Sequence, residues 1–442
     1  MTLRIARIVL LMLLALGLAA CSNESRTRSP TTQVAVIHAA PSFGVLDFLR
    51  VQRREHSLSY LESGASNWDS DTYTFNVDAA RPASMAERAR SFTATLVAGN
   101  DYVIVLGEDG GEIRELIVEV PRDLGSASEA LFVLVHTANT LGPVDVYLEE
   151  PGANLAAATP RATLDSRASS APFNVAAADY EVSLTEVGNP ANVLLASQAF
   201  GLSSGTLSVL TIVDGANVRI APIGVLASGG GGDLLLVDRN LQAGIRAINA
   251  MTSGGALDVT IDSEFSPPLL PAVPVGIPSA YAFFDAGDRN LTVSPAGNPG
   301  VLEIDEAFTA ENASLGTWFI SGDPGALTAT LSLDSGRVVT GESGLTIYNG
   351  VTSVTAVDVY VVAPGTDIAT VPPTTTLVSG ASAPDIRFEL DDFEITVRQA
   401  ASTNVLAGPQ AVTIGAEGSY GILLTDSAGG ATVDIALLDD FN

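Results

Sequence analysis

A chain of 442 residues carries 50 acidic side chains against 21 basic ones, every one of them arginine, for a formal charge of −29. Without lysine there is no Schiff-base chemistry and no Walker-type phosphate loop. Without a basic footprint, nucleic acid and charge-driven attraction to anionic lipid headgroups are excluded as well. At 47% hydrophobic residues the chain is too apolar to be disordered, and its length suits roughly three or four domains.

Residues 1–20 read as a signal peptide. Arg4 and Arg7 form a positive start, and Ile8 to Leu18 form an apolar core too short to span as a mature helix. Leu18-Ala19-Ala20-Cys21 follows, and these small residues before the only cysteine resemble a bacterial lipobox. The resemblance implies diacylglyceryl transfer to Cys21, cleavage before it, and a membrane partner reached through N-terminal lipid. Ser22 in place of Asp favours the outer membrane of a Gram-negative cell by analogy with enterobacterial sorting. A single cysteine leaves no intramolecular disulfide. Residues 21–32 read as a polar tether.

One pattern then recurs four times: VAVIHAAPSFGVLDF from Val34, FVLVHTANTLGPVDVYL from Phe132, IRAINAMTSGGALDVTI from Ile245 and LTIYNGVTSVTAVDVYV from Leu345. Each is an apolar run, a His or Asn, a turn, and a second apolar run centred on Asp. The pairs are His38 and Asp47, His136 and Asp145, Asn249 and Asp258, Asn349 and Asp358, at one constant separation. Four copies in register indicate a tandem array, with units expected over 33–123, 128–240, 242–336 and 342–442. Each unit also has a middle strand with period two, such as Tyr73, Phe75 and Val77 on one face. Later strands lie at Tyr102–Leu106, Leu207–Val213, Gly316–Ile320 and Tyr420–Leu424, each before a turn and a closing strand. Pro82–Arg90 is the one stretch with a helical reading. Ser228-Gly229-Gly-Gly-Gly232 is assigned to an enlarged last hairpin of the second unit, with Leu234–Val237 in the closing-strand position. About seven short strands per unit predict an all-β protein of four tandem immunoglobulin-like antiparallel β-sandwiches.

Val36-Ile37-His38-Ala39-Ala40-Pro41 with Val45-Leu46-Asp47 resembles the opening of a bacterial family, domain of unknown function 4397. Val144-Asp145-Val146-Tyr147 and Val357-Asp358-Val359-Tyr360 are similar to its second half, while Leu257-Asp258-Val259-Thr260 lacks the tyrosine. The resemblance implies an extracytoplasmic, often lipid-anchored all-β protein, and it brings no catalytic residue and no ligand.

The chemistry in the chain points the same way. An Asp orienting a His could belong to a hydrolytic relay, but Asn in two copies cannot act as a general base. The pairs therefore read as hydrogen-bonded structural turns, each polar side chain facing a carboxylate or nearby backbone. Gly201-Leu202-Ser203-Ser204-Gly205 matches a nucleophile elbow in letters only, since all three histidines precede it. Asp69 with Asp71, Glu108 and Asp109 with Glu112, and Glu389, Asp391, Asp392 and Glu394 are acidic clusters without a calcium-loop pattern. No metal, cofactor or catalytic residue is assigned. Trp318 reads as core, and Trp68 is the better candidate for an exposed contact. The expectation is a lipid-anchored, non-enzymatic envelope protein, binding, adhesive or structural, with an unidentified protein or glycan ligand and its domains extended as a rod. The alternatives are an extracytoplasmic polysaccharide-acting enzyme and a calcium-stiffened surface adhesin.

Overall fold

The computed structural model describes residues 31–438, apart from 83, 126, 218–219, 230–231, 264–265, 390–391, 416 and 428–431. The expected signal peptide, Cys21, most of the tether and Asp391 lie outside the described residues.

The first unit contains β1 (Thr31–His38), β2 (Val45–Arg50), β3 (Arg53–Leu58), β4 (Ser63–Asp69), β5 (Thr72–Ala80), β6 (Glu87–Thr95), β7 (Asn100–Asp109) and β8 (Glu112–Pro121). They form two four-stranded sheets, ordered β4-β1-β7-β8 and β3-β2-β5-β6. The third unit (Ala243–Leu333) and the fourth (Ser343–Leu438) repeat this order strand for strand. The chain is thus four tandem β-sandwiches of immunoglobulin-like architecture. Each sandwich is filled by one apolar cluster. In the first unit Val34 and Val36 of β1 meet Leu46 and Phe48 of β2, Phe75 of β5 and Ile104 of β7.

Several details differ from the sequence reading. The sheets are not purely antiparallel: β1 runs parallel to β7, with Val34 opposite Tyr102 and His38 opposite Leu106, and the same pair is parallel in every unit. The chain crosses to the other sheet between these strands, so no tight turn constrains their direction. β1 begins at Thr31, inside the stretch assigned to the tether. Among the described residues of Pro82–Arg90 none is helical; from Glu87 the stretch is β6, paired to β5. In the second unit the closing strand is Ala221–Gly229, paired to Leu207–Asn217. Gly232–Leu236 pairs beyond it as an extra edge strand, so the glycines do join a hairpin, but one that adds a strand.

The central strands of the first sheet of every unit are buried on both faces. In the first two units the outward residues Ile37, Val103, Val105 and Val118 pack on Val133, Val135, Val209 and Leu226. In the last two, Ile248, Ala250 and Phe319 pack on Tyr348, Leu423 and Leu438, with the Phe319 and Tyr348 rings 5.4 Å apart. The sandwiches therefore stack in pairs, sheet on sheet, rather than forming an extended rod. Each fully buried aliphatic side chain contributes roughly 1.5–3 kcal/mol to such a face.

Candidate functional site

The four His/Asn positions close β1 and its counterparts. Their side chains follow the core residues Val34 and Val36, Phe132 and Leu134, Ile245 and Ala247, and Leu345 and Ile347 at period two. They thus point between the sheets, and all four are fully buried. His38 Nε2 lies 3.1 Å from Gly44 O, and its Nδ1 accepts from Ala40 N at 3.2 Å. Since Nδ1 accepts, the proton sits on Nε2 and that nitrogen donates. Asn249 does the same with its amide: Nδ2 donates to Gly255 O and Val273 O, each at 3.1 Å, and Oδ1 accepts from Met251 N at 3.2 Å. Asn349 Nδ2 donates to Leu377 O and Val378 O, and its Oδ1 accepts from Val351 N. His136 keeps the bond to Gly142 O at 3.0 Å, while Ala138 N turns to Ile212 O instead. Burial pushes the His38 pKa down to about 3 and lowers that of His136. A neutral imidazole and a carboxamide each offer a donor and an acceptor, which is why either residue serves, although Asn349 donates to Leu377 O and Val378 O and not to the carbonyl six residues on.

The paired Asp sits elsewhere. It lies on β2 or its counterpart, in the other sheet, and no hydrogen bond joins it to the His or Asn among the described residues. Asp47 pairs with Arg54 at 3.1 Å. Asp145 accepts from Thr163 Oγ1 and from Gly188 N at 2.7 Å. Asp258 accepts from Ala272 N and Gly297 N, each at 2.8 Å, and Asp358 from Thr376 Oγ1 at 2.6 Å. These carboxylates tie neighbouring strands and turns of the second sheet.

A second recurring carboxylate escaped the sequence reading. At the end of β7 and its counterparts stand Glu108, Asp214, Asp323 and Asp426. Each holds the turn that follows the His or Asn. Glu108 accepts from Ser42 N and Oγ, Asp214 from Asn139 N and Thr140 N and Oγ1, Asp323 from Thr252 Oγ1, and Asp426 from Thr352 and Ser353. The signal was available as an acid ending the seventh strand in every copy.

The other candidates resolve as follows. Trp68 is 4% exposed and packs on Phe48 and Phe75 under the Arg50 guanidinium, so it is core and no contact platform. Trp318 is core too. Ser203 lies in a turn whose carbonyl accepts from Thr206 Oγ1. Asp109 pairs with Arg167 at 2.7 Å and Glu112 with Arg114 at 2.6 Å. Among the described residues no three His, Cys, Asp or Glu side chains converge as a metal site.

Polar groups do converge where the first unit meets the connection between the third and fourth. Arg337 Nη1 donates to Pro41 O at 3.0 Å and to Phe43 O at 2.6 Å, and its guanidinium lies 5.1 Å from the Tyr60 ring centroid. Tyr60 OH donates to Asp214 O of the second unit, and burial raises its pKa. Thr340 N donates to Ser42 O at 2.9 Å, and Arg81 Nη1 to Thr340 O at 2.9 Å. Beside these contacts opens a cleft of about 270 Å³, lined by Glu342 and by Phe43, Ala79, Ala89 and Ile113 among others. Glu342 is 4% exposed, and burial raises its pKa against the pull of Arg387, Arg81 and Arg337.

No known family matches this chain, and no curated protein does. Among solved structures, the TIE protein of Bacillus anthracis is similar over 90% of this chain and 68% of its own, at 10% identity and a TM-score of 0.17. The family 26 carbohydrate-binding module CBMbc of Eubacterium rectale Amy13K, solved with maltoheptaose, is similar over 46% of this chain and 98% of its own, at 12% identity and a TM-score of 0.16.

Proposed function

We propose that this chain is a non-catalytic binding protein of the bacterial cell envelope, anchored to the outer membrane of a Gram-negative cell by lipid on Cys21. One observation carries the non-catalytic part. The polar side chains copied into all four units are spent on structure: His38, His136, Asn249 and Asn349 on backbone carbonyls, and the Asp residues on backbone N–H groups, threonines or an arginine of the other sheet. A buried imidazole held neutral well below its ordinary pKa of 6.5 cannot collect and release a proton near neutral pH. What was multiplied is a stable sandwich. The leader supports the anchored part, since two or more acyl chains give stable membrane attachment at ~0.8 kcal/mol per buried methylene.

Metabolic labelling with a clickable fatty acid tests the anchor. The native chain takes up label and sediments with the outer membrane, and Cys21→Ser abolishes both. An unlabelled native chain in the soluble fraction ends the anchored reading. Incubation with envelope polysaccharides tests the other half, since release of reducing ends would make the chain an enzyme.

A further inference from the structure

We propose that the cleft between the first unit and the Val339–Glu342 turn binds a pyranose sugar through Glu342. This rests on the binding-protein reading above and supplies its ligand class. The Glu342 side chain lines the cleft and is 96% removed from solvent by the complement of its 4% exposure. No hydrogen bond or ion pair reaches its carboxylate among the described residues. The carboxylate faces the cleft, and a donor arriving there would replace what little solvent it retains. Three guanidiniums, Arg387, Arg81 and Arg337, act on it from a distance. It therefore lacks donors and does not lack counter-charge, and an ammonium ligand would meet the repulsion of those three cations. Vicinal hydroxyls are neutral donors, spaced to fill both oxygens of one carboxylate.

The rest of the lining suits such a ring. Phe43 and Ala89, half-buried over the core residues Ala79 and Ile113, offer apolar atoms for the C–H face of a pyranose. Arg81 has one Nη bound to Thr340 O and the other 3.7 Å from the largely exposed Glu87, within reach of a sugar oxygen. The volume of about 270 Å³ admits a single ring. Gly44 gives the carboxylate its room: a Cβ there would lie 3.1 Å from Glu342 Oε2.

The test is calorimetry and saturation-transfer NMR on the full chain in detergent, with methyl glycosides of glucose, galactose and mannose, alkylammonium salts and inorganic phosphate as probes. At least one glycoside binds. Glu342→Gln, which keeps the shape, weakens binding about tenfold or more, and Gly44→Ala does likewise by crowding the carboxylate. Melting curves of both variants matching the native one show that the fold is intact. Binding of no glycoside, binding indifferent to both substitutions, or preference for the ammonium salts or phosphate would each overturn the proposal. A bound glycoside that is also cleaved would leave the site standing and remove the non-catalytic reading. An unlabelled Cys21 would touch only the anchor.

Discussion

At the scale of single residues, the exchange of His for Asn between copies predicts its own outcome when repeated by hand. His38→Asn supplies Nδ2 for the Gly44 carbonyl and Oδ1 for Ala40 N, as Asn249 does for Gly255 O and Met251 N. Stability at pH 7.5 stays close to native. His38→Ala leaves Gly44 O and Ala40 N without partners in a fully buried place, and costs about 2–4 kcal/mol. The pH response separates the two residue types further. The His38 pKa in the folded chain, about 3, lies below its ordinary 6.5, so the unfolded chain takes up the proton first as pH falls. The stability this residue contributes is complete above 6.5 and declines through the window from 6.5 to 3, by up to about 1.4 kcal/mol per pH unit. Denaturant melts at pH 7.5 and 5 check this. His38→Asn flattens the slope, and an unchanged slope would mean that His38 does not stay neutral in the fold.

At the scale of strands, two patterns decided what could be read from letters. The second sheet of each unit alternates, as in Tyr73, Phe75 and Val77, and period two announced a half-buried strand. The central strands of the first sheet largely do not. Ala243–Met251 and Ser343–Asn349 are buried at every residue, because one face meets the unit's own core and the other meets the neighbouring sandwich. Such continuous apolar runs mark sheets covered on both sides, and Leu131–Val135 carries that signal, whereas Arg246 interrupts it in Ile245–Ile248. Strand direction was not visible, since a local pattern is the same for a parallel and an antiparallel neighbour. Trp68 misled for a related reason: its immediate neighbours are polar, and only the cross-sheet rings of Phe48 and Phe75 place it inside. The strand-end acids were hidden because their partners lie some 70 residues away in the chain. Asp426 tests their role. Burial opposes its ionisation, but the hydrogen bonds from Ser353 and Thr352 outweigh it and leave its pKa below the ordinary 3.8. The contribution is thus present above pH 3.8 and lost as pH falls through the lower folded value. Asp426→Ala costs about 1–2 kcal/mol at pH 7, discounted for partial exposure. Melts at successively lower pH check the sign: the gap between variant and native chains narrows toward pH 3, and a constant gap would mean the charge is not what holds the turn.

At the scale of the whole molecule, two stacked pairs of sandwiches meet at Asn312, which accepts from Gln198 and donates to the Arg239 carbonyl, and at Arg337. The two apolar interfaces explain why units pair, but neither spans from the first pair to the second. Arg337 does so. Its side chain, from the connection after the third unit, caps two carbonyls of the first unit's turn and covers Tyr60, which in turn reaches Asp214 of the second. Thr340 N on Ser42 O and Ser84 Oγ on Glu389 Oε1, each at 2.9 Å, lie alongside. A planar guanidinium can meet two carbonyls and stack on a ring at once, whereas lysine is a point donor. Arg337→Ala therefore frees the pairs to separate about residues 237–242, the connection between the second and third units. Small-angle scattering registers a larger radius of gyration while each pair keeps its melting transition, because the apolar interfaces are untouched. Arg337→Lys gives an intermediate radius. If both variants scatter as the native chain does, the pairs are held by the flanking contacts, and the cleft at Glu342 keeps its walls without the arginine.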